Sequence, residues 1–318
     1  MEAWYTHTSL LALASLLLAA LADAVWRWPR AYHPLTLFQL LSDGMARRVC
    51  PGAGHGKLQH YISGSLGAVV LLAPFAGLTT ALLYMAQYPW FFESVLMLCL
   101  LDFGHDRYRY QQIIKATGQQ KKILAREALS TLVARQTTSL SDIGIAKAAI
   151  ESLLLRFVYL YCGVLVWFVL LGPVAALCYR LIIQINWQWN PRLAGYHWFG
   201  RPAAWLANLL KLAGALPGII VVMIVTHPVA AFKGMLASPA KDRASLILAA
   251  FGAGLGIQLG GPAIYAHQKV RFPRVGAQRQ VRFSDMTYAA RAISRARILL
   301  VTFLSLLLLL IWSVNLHA

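Results

Sequence analysis

Charge is scarce in this sequence, and negative charge above all. Only 13% of the 318 residues are charged, whereas a soluble domain has about 25% charged residues. The acidic residues number 11 against 29 Lys and Arg, which leaves a formal charge of +18. The low share of charge excludes an ordinary soluble domain. The small number of acids leaves few constellations that could act in catalysis.

The motifs of several common sites are also missing. The sequence has no GxxxxGK[ST] phosphate loop, no HExxH zinc helix and no GxSxG nucleophile elbow. Four cysteines are present without a paired spacing such as CxxC: Cys50, Cys99, Cys162 and Cys178. We therefore expect all four to be reduced, with no disulfide or metal framework.

Long apolar runs are what the sequence has in excess. Hydrophobic residues make up 59% of the chain, and about 20 apolar residues are enough for a helix to cross a bilayer. The apolar segments are 8–25, 66–87, 89–103, 154–182, 203–226, 245–265 and 298–315. This pattern predicts an all-α fold, a polytopic transmembrane helical bundle in which residues 1–318 form a single integral membrane domain.

The positions of the basic residues predict the sidedness of the bundle. Four ranges together carry 24 Lys and Arg: 26–65, 104–150, 227–243 and 266–297. They share one side of the membrane only if segment 245–265, which is rich in Gly and ends near Pro262, does not cross. We therefore predict about six spans plus a Gly-rich re-entrant or buried segment. Basic loops then face the cytoplasm of a bacterial inner membrane, with the lipid bilayer as partner and no nucleic acid.

The two most basic ranges are predicted to be cytoplasmic regions. Residues 104–152 are expected to form a basic helical loop, and residues 266–297 a second basic loop. In the first, apolar residues recur at helical spacing in Ala125–Leu132 and in Ile143–Ser152. Ser141-Asp142 is predicted to cap the start of the second of these helices.

Few ionisable side chains fall within or beside the apolar segments. The acids found there are Asp23, Glu93, Asp102 and Glu151. An ionisable group in a membrane segment is a candidate functional residue, although water or a basic neighbour can satisfy it at the end of a span. Arg156 has the spacing to pair with Glu151, but we interpret Arg156 and Arg180 as arginines whose heads reach the membrane interface.

The glycine-rich stretch Gly252–Gly261 can be interpreted in two ways, as an anion-binding backbone or as a helix-packing surface. Glycines beside a basic loop let backbone amides approach an anion closely. Small residues at a spacing of four, such as Gly252, Gly256 and Gly260, also let helices pack closely. Local sequence leaves both readings open.

A longer motif in the same stretch resembles a known family. Gly254–Pro262 (GLGIQLGGP), followed by Tyr265, is similar to the GALGIQLGGP…Y motif of the CobD/CbiB family of membrane proteins. Ala134–Leu140 (ARQTTSL) resembles that family's GRDTSxL, and Asp23 with His33-Pro34 resembles its N-terminal stretch. The order and spacing of these motifs agree over most of the chain.

The resemblance implies an activity and a set of site residues. Enzymes of the family use ATP and Mg²⁺ to join adenosylcobyric acid, a corrinoid, to aminopropanol or its phosphate through an amide. The partners implied are the corrinoid and other cobalamin-assembly proteins. The catalytic residues implied are Glu151 and Asp23. The ligand-binding residues implied are Arg135, Thr137, Gly254, Gly256, Gln258, Gly260, Gly261 and Tyr265.

The chain departs from the family pattern mainly by losing acids. Arg27-Trp28-Pro29 stands where the family has Gly-Asp-Pro, and Gln136 replaces the acid of GRDTS. The family's E-x-x-x-E-N-x-x-D run begins at Glu151, but Leu155, Arg156 and Tyr159 stand at its later positions. Mg²⁺ is bound mostly through carboxylates and phosphates, so the alternative is a non-catalytic regulatory or scaffold protein similar to AmpE, which also lacks these acids. A small-solute transporter is supported by the polytopic pattern alone.

Overall fold

The computed structural model describes residues 2–26, 28, 32–52, 54–193, 195–265 and 268–317. Side chains are described in these ranges except at 2–8, 268, 269, 316 and 317. The helices are α1 (Glu2–Val25), α2 (Pro34–Val49), α3 (Lys57–Met85), α4 (Pro89–Leu100), α5 (Phe103–Gly118), α6 (Lys122–Ser130), α7 (Asp142–Arg156), α8 (Gly163–Leu171), α9 (Pro173–Gln188), α10 (Arg201–Val225), α11 (Pro228–Leu236), α12 (Arg243–Gly254) and α13 (Phe283–His317). A π-helical segment, Phe157–Cys162, joins α7 to α8, and the strands are β1 (Gln258–Tyr265) and β2 (Gln268–Gly276).

The chain is a helical membrane bundle whose contacts form two compact units. Unit 1 comprises Met1–Asp102, Gly163–Gly214 and Val301–Ala318, and unit 2 comprises Phe103–Cys162 and Ala215–Leu300. The single membrane domain proposed from the sequence stays a prediction.

Unit 1 is held together by helix packing around buried aromatic side chains. Helix α1 packs against α4, and α9 packs against α2, α3, α4 and α8. Trp189, just after α9, is fully buried, and its ring centroid lies 4.7 Å from that of Phe199 with the two rings tilted by 49°. Its indole N–H donates to the Ser42 carbonyl at 3.2 Å. On α3, Gly64 lies directly against the Phe199 carbonyl, where a Cβ has no room. Close backbone approach therefore requires glycine at this position.

Within the described residues, four helices are long and apolar enough to cross a membrane: Lys57–Met85, Asp142–Leu171, Arg201–Val225 and Phe283–Asn315. Shorter apolar helices are Ser9–Val25 and Arg243–Gly254. The predicted count of about six spans stays a prediction.

The structure divides one of the predicted apolar segments and shortens another. Segment 154–182 is not one helix, because Gly172 has φ +83° and Pro173 begins a new helix. The long apolar helix instead runs from Asp142 to Leu171. Segment 89–103 yields the 12-residue helix α4. At 1.5 Å per residue α4 is about 18 Å long, too short for a hydrocarbon core of about 30 Å.

The glycine-rich segment of unit 2 is a buried helix followed by a β-hairpin. Most residues of α12 are buried, in agreement with the buried segment that the sequence predicts. The chain then turns at Leu255 and Gly256 and enters β1, which pairs with β2 in antiparallel register from Gln258↔Gly276 to Tyr265↔Gln268. A register shift lies between Gly260 and Pro262. This hairpin is a departure from an all-α fold.

The two basic ranges are largely ordered secondary structure. The predicted helix pair is confirmed as α6 and α7, and the Ser141 hydroxyl caps α7 by accepting from the Gly144 N–H at 3.2 Å. Helix α5 precedes them and was not predicted; its buried Tyr110 donates to the Met286 carbonyl at 2.8 Å. The described part of 266–297 contains β2, a short connection and the first turns of α13.

Candidate functional site

Glu151 is the acid around which the candidate site is built. It lies on α7, is 7% exposed, and its Oε2 is 2.5 Å from Nη2 of Arg135. Its other oxygen, Oε1, accepts a hydrogen bond from the Gly260 N–H at 2.7 Å. Both oxygens of the carboxylate are therefore engaged by the protein, one by a cation and one by the glycine hairpin.

The local conformation of the hairpin presents the Gly260 amide to Glu151. Gly260 has φ +74° beside the register shift, and a Cβ there would collide with the Pro273 carbonyl on β2. Only glycine adopts this conformation and fits this gap without strain. The Gln136 N–H also donates to the Ile264 carbonyl at 2.8 Å. The loop before α7 is thus tied to β1, which brings two motifs distant in sequence to one place.

Three cations surround this single carboxylate. Lys147 lies one helical turn before Glu151 on α7, and its Nζ is 3.7 Å from the point where a Cβ on Gly261 would lie. Arg274 pairs with Gly260 across the hairpin. The charges of Glu151, Arg274 and Arg135 all act on the Lys147 ammonium. With one carboxylate among three cations, the site attracts anions.

The structure brings four of the candidate residues together. Of the others, Asp23 lies in unit 1 and the rest lie elsewhere in unit 2. Glu151, Arg135, Gly260 and Gly261 form the site just described. Thr137 is buried in the turn after Arg135, where its carbonyl accepts from the Leu140 N–H.

Four more candidates lie along the hairpin and the turn before it. Gly254 ends α12 and Gly256 lies in the following turn. Gln258 donates its backbone N–H to the Arg279 carbonyl at 2.7 Å. Tyr265 stands edge-on to Phe272, with ring centroids 6.2 Å apart, at the other end of β1.

Asp23, the second predicted catalytic acid, belongs to unit 1. It lies near the end of α1 and is 6% exposed. The family motif around 27–31 lies outside the described residues, apart from Trp28, whose ring stands edge-on to His33 at 5.7 Å. The proposed catalytic role of Asp23 stays a prediction.

The interpretation of Arg156 and Arg180 as arginines whose heads reach the membrane interface is wrong, and the ion pair of Glu151 is with Arg135. Arg156 Nη1 lies 2.9 and 3.1 Å from the two oxygens of Asp106, whose side chain is almost fully buried. Arg180 is 4% exposed and donates to the Leu100 carbonyl at 3.2 Å. The ion pair with Asp106 joins residues 50 positions apart, so no local spacing could have revealed it.

The described residues do not fit a protein-held magnesium ion. Among them no group of three or more His, Cys, Asp or Glu side chains is close enough to hold a metal. In unit 2, Glu151, Asp106 and Asp285 are each held by an arginine: Arg135, Arg156 and Arg279 in turn. A hard cation needs several oxygen ligands, and these carboxylates already have cationic partners.

Comparison with known proteins identifies the relatives of this chain. The model of the family described as CobD/Cbib protein matches residues 16–293. The chain is 27% identical over 287 residues to the cobalamin biosynthesis protein CobD of Chromobacterium violaceum, which covers 87% of this chain and 91% of the relative. The protein of the same name from Stutzerimonas stutzeri is 28% identical over 261 residues, which cover 81% of this chain and 85% of the relative.

A third relative and the solved structures complete the comparison. The cobalamin biosynthesis protein CobD of Mycobacterium tuberculosis is 26% identical over 287 residues, covering 86% of this chain and 88% of the relative. No solved structure matches the chain. With a family match that extends over most of its length, this chain belongs to the CobD/CbiB family.

Proposed function

We propose that this protein works in cobalamin biosynthesis, at the ATP-dependent ligation of aminopropanol or its phosphate to adenosylcobyric acid. Family membership and relatives named for cobalamin biosynthesis support the pathway. The observation that carries the step is the contact of Glu151 with Arg135 and with the Gly260 amide. It joins the two motifs that this family shares into one basic site.

The chemistry of this site suits an anionic ligand. Arg274 is exposed, Lys147 is half-buried and the Arg135 side chain is 15% exposed, so cationic groups reach the surface beside the hairpin. Arginine binds phosphate or carboxylate oxygens through two parallel hydrogen bonds, and lysine binds them as a point charge. ATP, aminopropanol phosphate and the corrinoid carboxylate all carry such groups. We assign Glu151 the role of holding Arg135 and the hairpin in place for this binding.

The proposal places the site on the cytoplasmic side of a bacterial inner membrane. The residues of unit 2 contain most of the Lys and Arg of the chain. Basic segments are retained in the cytoplasm during membrane insertion. ATP is available on that side, so the sidedness agrees with a site for phosphate-bearing substrates.

The test measures binding and product formation separately. Purified protein in detergent is titrated with ATP, with and without Mg²⁺ and adenosylcobyric acid, and amide product is followed by mass spectrometry. Arg274→Gln and Lys147→Gln are expected to weaken ATP or corrinoid binding about tenfold each, which is about 1.4 kcal/mol. Lys115→Gln removes an exposed cation elsewhere in unit 2 and serves as the matched control. Binding unaffected by both site variants would refute an anion site at the hairpin.

A second function is favoured by one specific observation. Glu151, Asp106 and Asp285 all have arginine partners, and the described residues offer no carboxylate cluster for a metal. We therefore keep as the alternative a non-catalytic, AmpE-like regulatory or scaffold role. It predicts that the purified protein forms no amide. A gene phenotype that survives Glu151→Gln and Asp23→Asn, yet is lost with Gly260→Val, would support this alternative over the ligase.

A further inference from the structure

A second basic site lies at the other end of the glycine motif. It is a partly open cleft of about 460 Å³ within unit 2. Its walls are the end of α10, the end of α12 and the first turns of α13. The residues of the lining that carry charge or can donate a hydrogen bond include His227, Asp285, Tyr288, Arg291 and Arg295.

The cleft is cationic. Arg291 and Arg295 are exposed and lie four residues apart, so they share one face of α13. The Arg291 guanidinium lies 5.4 Å from the centre of the Tyr288 ring. The one lining acid, Asp285, is neutralised by Arg279, whose Nη1 and Nη2 are each 2.9 Å from one of its oxygens. Two like charges at this spacing destabilise the helix slightly, and a bound anion would relieve their repulsion.

The cleft lies where apolar helices meet polar residues. Val225 is the last residue of a helix that is apolar and long enough to cross a membrane. On α13 the apolar part begins at Ile298, just after Arg295. The side chains next to both points are largely exposed, with Ile224 at 57% and Ile298 at 63%. Such a change from apolar to basic within one turn marks the level of lipid headgroups.

The neighbouring helix α11 also exposes apolar side chains. Val229, Phe232 and Leu236 are more than half exposed and recur at helical spacing. The buried residue Ala231 lies on the opposite side, where α11 packs against α12. A short helix with one packed face and one bare apolar face is typical of segments that lie in the membrane interface. The cleft is therefore flanked by surfaces suited to acyl chains.

We propose that this cleft binds the phosphate headgroup of an anionic phospholipid. Arg291 and Arg295 hold the phosphate oxygens, His227 adds a donor, and the acyl chains lie along Ile224, Ile298 and the bare face of α11. Basic pockets between membrane helices on the cytoplasmic side bind anionic headgroups in this way. Gly254 and Leu255 place the cleft against the start of the glycine motif.

The experiment uses the full chain, stripped of lipid in detergent and then given dioleoyl phosphatidylglycerol or dioleoyl phosphatidylcholine. Bound lipid is counted by native mass spectrometry. The expected result is preferential retention of phosphatidylglycerol, which falls at least tenfold in Arg291→Gln/Arg295→Gln. The control Lys115→Gln/Lys121→Gln removes the same charge from exposed positions outside the cleft and is expected to retain the lipid.

Three outcomes would overturn the proposal. They are equal retention of the two lipids, an equal loss in the control variant, and displacement of the lipid by glycerol phosphate at equimolar concentration. The last would identify a site for soluble phosphate esters instead. Should the double variant fail to fold, Arg295→Gln alone is expected to lose phosphatidylglycerol about threefold. Arg291→Lys/Arg295→Lys, which keeps the charge, is expected to retain more lipid than the glutamine variants.

Discussion

Substituting Gly260 with alanine tests whether the hairpin conformation holds the candidate site together. Gly260 has φ +74°, its missing Cβ would meet the Pro273 carbonyl, and its N–H donates to Glu151 at 2.7 Å. Alanine therefore adds backbone strain of about 1–2 kcal/mol. Crowding against the carbonyl adds about 1–3 kcal/mol. Displacing the backbone to relieve this collision breaks the hydrogen bond from the Gly260 N–H to Glu151, which costs about 1.5–3 kcal/mol. Since local relaxation relieves part of this, we expect a destabilisation of the hairpin by about 3–6 kcal/mol.

Gly256 provides a matched control in the same motif. It also has a positive φ, +66°, but a Cβ there would meet nothing within 4 Å. Gly256→Ala is therefore expected to carry only the backbone strain, about 1–2 kcal/mol. The two variants should differ by at least about 2 kcal/mol, which corresponds to roughly thirtyfold in an opening equilibrium.

Amide hydrogen exchange of the hairpin, resolved by peptide mass spectrometry in detergent, measures this difference. We expect exchange in 258–265 to accelerate strongly in Gly260→Ala and weakly in Gly256→Ala. Thermal unfolding of both variants shows whether the effect stays local. If Gly260→Ala exchanges no faster than Gly256→Ala, then neither the Pro273 contact nor the Glu151 hydrogen bond holds the hairpin, and the reasoning is refuted.

Three further substitutions test other parts of the structure through thermal unfolding in detergent. Asp106→Asn leaves Arg156 without its carboxylate partner and is expected to lower stability by about 3–5 kcal/mol, most of it regained in Asp106→Asn/Arg156→Met. Ser141→Ala removes the cap of α7, with an expected loss of about 1 kcal/mol, whereas Ser141→Asp should retain it. Gly64→Ala forces a methyl group against the Phe199 carbonyl and is expected to lose about 1–3 kcal/mol; Gly44→Ala, in open space, should not destabilise.

Local signals in the sequence predicted local structure well. The Ser141 cap and the two helices around 122–156 follow from capping chemistry and helical spacing, and the structure confirms them. The break before Pro173 was also signalled, because glycine followed by proline ends one helix and begins another. It was missed because the apolar run continues through both residues, and hydropathy alone does not register a change of direction.

The hairpin and the ion pairs depend on partners that are far away in sequence. The sequence of Gly252–Gly261 fits close helix packing and anion-binding backbone equally well. The strand that pairs with this stretch, Gln268–Gly276, comes after it in the chain. Apolar and basic residues alternate in that strand from Val270 to Val275, interrupted by Pro273, which was the available signal. The family resemblance selected Arg135, Glu151 and Gly260 without indicating that they touch.

The pairing of buried carboxylates with arginines indicates which ligands the candidate site can bind. A chain poor in acids that held Mg²⁺ itself would be expected to keep its few buried carboxylates free for the metal. Here Glu151 instead neutralises Arg135, in the loop before α7, and Asp106 neutralises Arg156, the last residue of α7. Buried ion pairs of this kind fix geometry more than they add stability. The excess of positive charge is then left around the hairpin, where phosphate or carboxylate groups are the complementary ligands. This charge balance supports the proposed anion site, and the substrate would have to supply most of the oxygen ligands of any metal used in the proposed reaction.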